Sequence, residues 1–140
     1  DLKPYIFSCG FYNNKGNNII AMSKALVEKY DGKVPEDFDA LVSLPGVGRK
    51  TASVVLCVGF DKPAMPVDTH VNRVSKRIGL SDGSKDPLSV EMKLKKCVEP
   101  EYSGGLCHRL VDHGRAVCTA RTKPHCEICC LKEICKKNGV

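Results

Sequence analysis

The sequence predicts an all-α fold. Apolar residues recur at helical spacing in several segments, and a capping residue or a proline begins many of these segments while glycine ends some of them. No segment shows the period-two alternation that is typical of a half-buried strand. The 140 residues are 42% hydrophobic and only 6% aromatic, so we expect a mainly aliphatic core in one domain or two small lobes.

The first half of the chain is predicted to alternate between helices and polar turns. The predicted helices cover residues 2–9, which form the end of a helix, and about 18–30, 35–44 and 49–59. Residues 10–18 are rich in glycine and asparagine and are predicted to form a turn. Asp31 and Gly32 stop the second helix, and Pro35 with the acids that follow it suits the start of the third.

The second half is predicted to contain three further helices, at about residues 69–78, 87–98 and 106–117. Asp68 is the predicted N-cap of the first, because its carboxylate can accept a hydrogen bond from a backbone N–H group, and Gly79 is its predicted end. Residues 80–86 and 100–105 are predicted loops. The chain beyond the last helix is predicted to be a cysteine-bound loop with at most one or two short helical turns.

The turn LPGVG lies between two predicted helices and is typical of a helix-hairpin-helix. Its glycines allow turn geometry, and the N–H groups where the next helix starts can hold a phosphate without any side chain. This motif places candidate DNA contacts at Gly46, Val47, Gly48 and Arg49. A plain αα-hairpin with a glycine turn is the alternative interpretation.

Lys50 lies in the first turn of the helix that follows, and Asp68 precedes the next one. The positive end of a helix disfavours an ammonium group, so more of this amine is expected in its free form, which can attack a carbon atom and form a Schiff base. A nearby carboxylate could accept a proton or stabilise a cationic sugar, provided that the connector brings Asp68 back to Lys50. A surface lysine and an ordinary helix cap are the alternatives.

The C-terminal cysteines are the sharpest chemical signal. Nine cysteines are present and five fall within the last 23 residues, which favours metal thiolates over disulfides and a reducing compartment. The spacing C-x7-C-x2-C-x5-C fits a [4Fe–4S] cluster or a four-cysteine zinc site, and the single C-x2-C pair favours the cluster. The four candidate ligands are Cys118, Cys126, Cys129 and Cys135. Cys130 is a spare thiol, and unliganded thiols are the third option.

The charge distribution indicates a polyanionic partner. The net charge is +6, and residues 104–140 hold seven Lys/Arg against three Asp/Glu, or +4. Arg121 and Lys123 lie between the first two candidate ligands and are predicted phosphate contacts. No apolar run approaches the roughly 18 residues that a membrane span needs.

In combination, LPGVGRKTASVVL, VDTHVNRVSKRIGL, HGRAVC and the four-cysteine tail resemble endonuclease III, a family of helix-hairpin-helix DNA glycosylases. The resemblance runs from about residue 5 to residue 135. It implies the fold of that family with a C-terminal [4Fe–4S] loop, N-terminally incomplete because family members carry further helices there. Residues 1–103 would form part of the helical barrel, with the hairpin at about 37–60, and residues 104–140 the last helix and the cluster loop.

The resemblance also implies base-excision repair by a DNA glycosylase that is also an AP lyase. Lys50 would attack the sugar C1′ and expel an oxidised pyrimidine, β-elimination would nick the strand, and Asp68 would assist base loss and proton transfer. Phe11 and His70 match the family's wedge positions. Residues at these positions enter the gap that a flipped-out nucleotide leaves in the duplex, or touch the orphan strand opposite it. The four cysteines would hold a [4Fe–4S] cluster, with zinc as the alternative metal and Cys130 as the alternative ligand.

We therefore expect a monomer in the bacterial cytoplasm that binds double-stranded DNA containing oxidised pyrimidines or abasic sites. The alternative is a non-catalytic or truncated helix-hairpin-helix module that binds DNA and keeps a structural metal site.

Overall fold

A computed structural model describes residues 2–140 of the chain, and in that range it contains helices and no strand, which confirms the all-α prediction. The α-helices are α1 (Tyr12–Tyr30), α2 (Phe38–Val42), α3 (Arg49–Val54), α4 (Thr69–Ile78), α5 (Pro87–Leu94) and α6 (Ser103–Ala116). Short 3₁₀ turns form at Lys3–Ile6 and Pro100–Tyr102, and a turn of π-helix, Val55–Gly59, continues α3. No helix in the described range has the length and hydropathy that crossing a bilayer requires.

The chain divides into two compact units, one that ends at Ala52 and one that covers Ser53–Val140. In the first unit, α1 begins at Tyr12, so the prediction of a turn over residues 10–18 is wrong for most of that segment. The reason is tertiary packing. Gly16 is buried, and a Cβ there would lie 3.2 Å from Cγ of Lys3. Docking of the preceding 3₁₀ turn therefore outweighs the weak helix propensity of the Gly/Asn-rich segment.

The second unit contains the larger core, whose buried members are all aliphatic or sulfur-containing. They are Met65, Val67, Val71, Val74, Val90, Leu94, Cys107, Leu110 and Cys118. Helix α4 packs on α6 at the centre of this core. A Cβ at Gly114 of α6 would lie 3.0 Å from Cγ2 of Val74 on α4. Glycine at this position therefore lets the two helices approach closely.

Two predicted helix boundaries in the second unit differ from those observed. Helix α6 begins at Ser103 rather than 106, where a Cβ at Gly104 would lie only 3.2 Å from Cβ of Cys57, so close packing recruits the glycine pair into the helix. Helix α5 ends at Leu94 rather than 98, because the chain tightens there into i→i+3 hydrogen bonds, such as that from Cys97 N–H to the Leu94 carbonyl at 2.9 Å. The predicted helix over 49–59 has the expected extent but widens to π geometry at Val55.

Cys107 is a structural thiol of this core. Its Sγ lies 3.2 Å from Sδ of Met65, and burial, reinforced by Cys57, raises the pKa of the Cys107 thiol to about 12. Desolvation disfavours the charged form of a thiol, so this residue stays protonated at neutral pH. Such a thiol is a poor nucleophile and a poor metal ligand.

Candidate functional site

The hairpin is built from α2, a tight turn and α3 in the first unit. Asp37 caps α2, with its Oδ1 accepting a hydrogen bond from Ala40 N–H at 2.9 Å. Leu41 and Leu44 are buried, and Val47 N–H donates to the Leu44 carbonyl at 3.1 Å, which closes the turn. Both helices are short, so tertiary burial of the leucines rather than intrinsic propensity supports them.

The two glycines of the turn, Gly46 and Gly48, have different structural roles. Gly46 has a φ of +76°, and a Cβ there would lie 2.7 Å from Cβ of Asn18 on α1, so both conformation and space require glycine. Gly48 has no such φ, and among the described residues no atom lies within 4 Å of a Cβ built on it. Its backbone is exposed directly before α3, where the first N–H groups of the helix have no intrahelical partner.

Arg49 and Lys50 open α3. The Arg49 guanidinium carbon lies 4.6 Å from the centroid of the Phe38 ring, a cation–π contact that joins the two helices of the hairpin. The side chain of Lys50 is exposed. An amine that projects from the first helical turn after a glycine turn is accessible to a ligand held by the backbone of that turn.

Phe11 stands at the N-cap of α1 with a φ of 58°, in the left-handed region that bulky residues rarely adopt. Its side chain is 85% exposed. The neighbouring rings of Phe7 and Tyr12 pack with their centroids 5.0 Å apart and fix the chain on either side. A strained and exposed aromatic residue is a candidate for inserting into a ligand.

Asp68 caps α4 in the second unit, as predicted. Its Oδ1 accepts a hydrogen bond from Val71 N–H at 2.8 Å, and the residue is half-buried. The cap engages one carboxylate oxygen and the group has a second, so capping leaves the negative charge available for chemistry. Lys50 and Asp68 belong to different units, and their pairing stays a prediction.

His70 is held by Arg73, one turn later on α4. The Arg73 Nη2 lies 3.2 Å from Nδ1 of His70 and donates to the Gly114 carbonyl at 2.8 Å, while Nε and Nη2 donate to the Cys118 carbonyl at 3.2 and 3.1 Å. The Arg73 guanidinium, held by the Gly114 and Cys118 carbonyls, therefore fixes a positive charge beside Nδ1 of His70.

His70 and Arg121 line one open cleft in the second unit. Its other lining residues include three threonines and two further arginines: Thr69, Arg73, Gly114, Arg115, Thr119, Ala120 and Thr122. Lys123 is not among the lining residues, although it is exposed on the same loop. The N–H groups of Arg73 are held by the Gly114 and Cys118 carbonyls, so the exposed Arg115 and Arg121 supply the guanidinium groups of this cleft that can bind phosphate oxygens.

The four predicted metal ligands line a single cavity. Cys118, Cys126, Cys129 and Cys135 surround it, with Arg77, Ile78, His113, Val117, Pro124 and Val140 completing the wall. Cys130 does not line this cavity. It is exposed in a separate apolar groove beside Leu131 and Ile134. Cys130 therefore lies apart from the four cavity cysteines, and none of the nine cysteines forms a disulfide.

N–H donors surround the sulfur atoms of this cavity. Three of the four sulfurs lie 3.4 Å from an N–H donor: Cys118 from Arg77 Nη1, Cys129 from Leu131 N and Cys135 from Lys137 N. Hydrogen bonds of this kind accompany cluster thiolates and set cluster potentials. Within residues 2–140 no three His, Cys, Asp or Glu side chains converge on a point that could hold one metal ion.

Sequence reasoning missed Arg73, Arg77 and Gly114. Each acts through contacts distant in sequence, between α4 and the segment that ends α6. The spacing of Arg73 and Arg77 at i and i+4 after the Asp68 cap was visible and places both on one helix face. Nothing local shows that this face meets backbone carbonyls.

Known proteins resemble this chain closely. An endonuclease III of Rickettsia felis is 50% identical over 135 residues, which cover 96% of this chain and 62% of that protein. A solved structure of a trapped endonuclease III–DNA covalent intermediate, an estranged-adenine complex, has a TM-score of 0.92 at 44% identity, and the match covers 98% of this chain and 64% of that one. A structure of a non-covalent endonuclease III–DNA complex gives a TM-score of 0.91 with the same identity and coverage.

The chain thus spans less than two thirds of the length of these relatives. Its residues 1–100 match the family described as HhH-GPD superfamily base excision DNA repair protein. The matched range includes the hairpin, Lys50 and Asp68, and the similar structures carry the same helical fold. The chain belongs to the HhH-GPD superfamily of base excision DNA repair proteins.

Proposed function

We propose that this chain is the catalytic part of a bifunctional DNA glycosylase and AP lyase that removes oxidised pyrimidines from double-stranded DNA. The observation that carries the proposal is the exposed amine of Lys50 in the first turn of α3, directly after the bare backbone of the hairpin turn. A structurally similar endonuclease III has been trapped as a covalent intermediate with DNA. A covalent intermediate needs a nucleophile, and Lys50 is the group that supplies it here.

The proposed reaction begins with base loss. The free amine of Lys50 attacks C1′ of a nucleotide that is flipped out of the duplex. The C1′–N bond breaks, and the electron pair leaves with the base, which takes up a proton. Opening of the sugar ring converts the C1′ adduct to an imine between the lysine nitrogen and the sugar.

The imine makes strand cleavage possible because it acidifies the proton on C2′. A base removes that proton, the electron pair forms a C2′–C3′ double bond, and the C3′–O bond breaks with the phosphate as leaving group. Water then hydrolyses the imine and returns Lys50 to its amine form. Asp68 serves this sequence as a proton acceptor and as a negative charge that stabilises the cationic sugar.

The proposed DNA contacts divide into backbone and wedge groups. The exposed turn at Gly46–Arg49 contributes N–H groups to a phosphate, and Arg121 and Lys123 contribute charge. Phe11 and His70 are proposed to contact the gap or the orphan strand. The left-handed backbone of Phe11, its 85% exposure and the position of His70 in the wall of the open cleft support these roles. We propose that the protein acts as a monomer.

We also propose a [4Fe–4S] cluster in the cavity that Cys118, Cys126, Cys129 and Cys135 line, within the part formed by residues 104–140. When bound, the cluster supplies cross-links that fix the loop. The residues around it orient the four sulfurs and present Arg121 and Lys123 on the outer surface of the loop. Thiolate ligands to a cluster persist in a reducing setting, and we propose the bacterial cytoplasm.

Lys50→Gln is expected to abolish covalent trapping. Reduction with borohydride on a duplex that contains an abasic site should give an adduct with the wild-type protein and none with the variant, because an amide cannot form an imine. Lys29→Gln, at the end of α1, is the matched control and should trap normally. Absence of an adduct with a folded wild-type protein would instead indicate a non-catalytic DNA-binding module.

Asp68→Asn separates the capping role from the charge. Asparagine caps a helix as well as aspartate does. We therefore expect the free energy of unfolding, measured by thermal unfolding, to change by less than about 0.5 kcal/mol. The single-turnover rate of base excision should fall about 100-fold or more, because the carboxylate charge is lost. Asp68→Ala should show the same fall in excision rate and, in addition, a free energy of unfolding that is lower by about 1 kcal/mol. An Asn variant that keeps the wild-type rate would remove Asp68 from the mechanism.

The logarithm of the binding constant for duplex DNA is expected to fall linearly as the logarithm of the salt concentration rises. Arg121→Gln and Lys123→Gln should each reduce the slope of this plot by about 1, since each removes one phosphate contact. Fluorescence anisotropy at a series of salt concentrations measures the slope. Lys96→Gln is the control of equal charge and should leave the slope unchanged, whereas equal slopes for all proteins would argue against the loop as a phosphate site.

Iron analysis tests the cofactor. Protein purified without oxygen should contain about four iron and four sulfide per chain, with the visible absorbance of a cluster. Cys130→Ser should keep this content, because Cys130 lies outside the cavity, and Cys126→Ser should lose most of it. One zinc per chain without iron would contradict the cluster assignment.

A further inference from the structure

One residue of α4 contacts both ends of the cysteine loop. The side chain of Arg77 donates hydrogen bonds to the segment of Cys118, the first of the four cavity cysteines. Its backbone carbonyl accepts a hydrogen bond from the segment that follows Cys135, the last of them. Arg77 also lines the four-cysteine cavity itself.

The side-chain contacts converge on one guanidinium nitrogen. Nη1 of Arg77 donates to the Thr119 carbonyl at 2.7 Å, lies 3.3 Å from the Cys118 carbonyl and lies 3.4 Å from Sγ of Cys118. The shortest of these bonds fixes the guanidinium on the backbone. The sulfur contact then places a permanent positive charge beside a ligand atom.

The backbone contacts fix the other end of the loop. Asn138 N–H donates to the Arg77 carbonyl at 3.1 Å, and Nδ2 of Asn138 donates to the Lys76 carbonyl at 3.2 Å. These carbonyls belong to the last turn of α4, where Gly79 N–H also donates to the Lys76 carbonyl at 3.1 Å, and Asn138 adds one donor to each of them. The tail therefore completes the end of α4, and Sγ of Cys135 comes to lie 3.4 Å from the Arg77 carbonyl oxygen.

We infer that Arg77 is a positioning residue for the iron–sulfur cluster, which it retains by joining the two ends of the cysteine loop and by donating to Sγ of Cys118. This inference rests on the cofactor of the proposed function. A [4Fe–4S]²⁺ core with four thiolates has a net charge of −2, so the half-buried guanidinium of Arg77 in the cavity wall offsets part of that charge. Partners of this kind orient metal ligands and strengthen binding.

The test measures cluster loss in air from anaerobically purified protein, followed by visible absorbance and iron released to a chelator. Arg77→Gln removes the charge and shortens the side chain, and we expect cluster loss to become about tenfold faster than in the wild type. Lys76→Gln is the matched control, because it removes the same charge from the neighbouring exposed residue, and it should match the wild type.

Arg77→Lys keeps the charge but loses the planar guanidinium, so it should lose its cluster faster than wild type and more slowly than Arg77→Gln. If Arg77→Gln does not fold, Arg77→Lys carries the test, with loss at least about threefold faster than in Lys76→Gln. Equal rates in the Arg77 variants and Lys76→Gln would overturn the inference while leaving the cofactor in place. A wild-type protein without iron would overturn the cofactor proposal and this inference with it, whereas the lysine chemistry would still be tested by trapping.

Discussion

The close contact between α4 and α6 at Gly114 is the constraint on which the second unit depends. A side chain at this position would meet Val74 and the guanidinium of Arg73 at 3.0 Å. Because glycine lets the helices touch, α4 lies within hydrogen-bonding distance of the segment that follows α6. Candidate groups for chemistry, DNA contact and cluster retention then follow along one helix, from Asp68 at its first turn to Arg77 at its last.

Asp68 illustrates why a structural and a functional role need not compete. The cap uses one acceptor atom, the Oδ1 that Val71 N–H reaches at 2.8 Å. Capping requires an oxygen acceptor but no charge, since neutral residues also cap helices. The proposed chemistry requires the charge. A capping pattern in a sequence can therefore locate the residue but cannot show whether its carboxylate has a second task.

The sequence predicted what local chemistry determines. Helix α4 is capped by Asp68 and ends at Gly79, as predicted. The four cysteines chosen by their spacing line one cavity. The start of α1 was missed because it depends on Gly16 packing against Lys3, and the start of α6 was missed because it depends on Gly104 packing against Cys57. Arg77 was missed for the same reason, since its partners on the cysteine loop are distant in sequence.

These contacts also show why net charge overstates the cationic surface offered to DNA. The chain has a net charge of +6, but Arg73 and Arg77 are half-buried and direct their guanidinium N–H groups at carbonyls near Cys118. A donor held by a backbone carbonyl is not available to displace counterions from a phosphate. Arg121 and Lys123, the exposed cations of the loop, donate to no backbone carbonyl among the described hydrogen bonds. The salt dependence of DNA binding should therefore reflect these exposed side chains, while the arginines of α4 stabilise the loop that carries them.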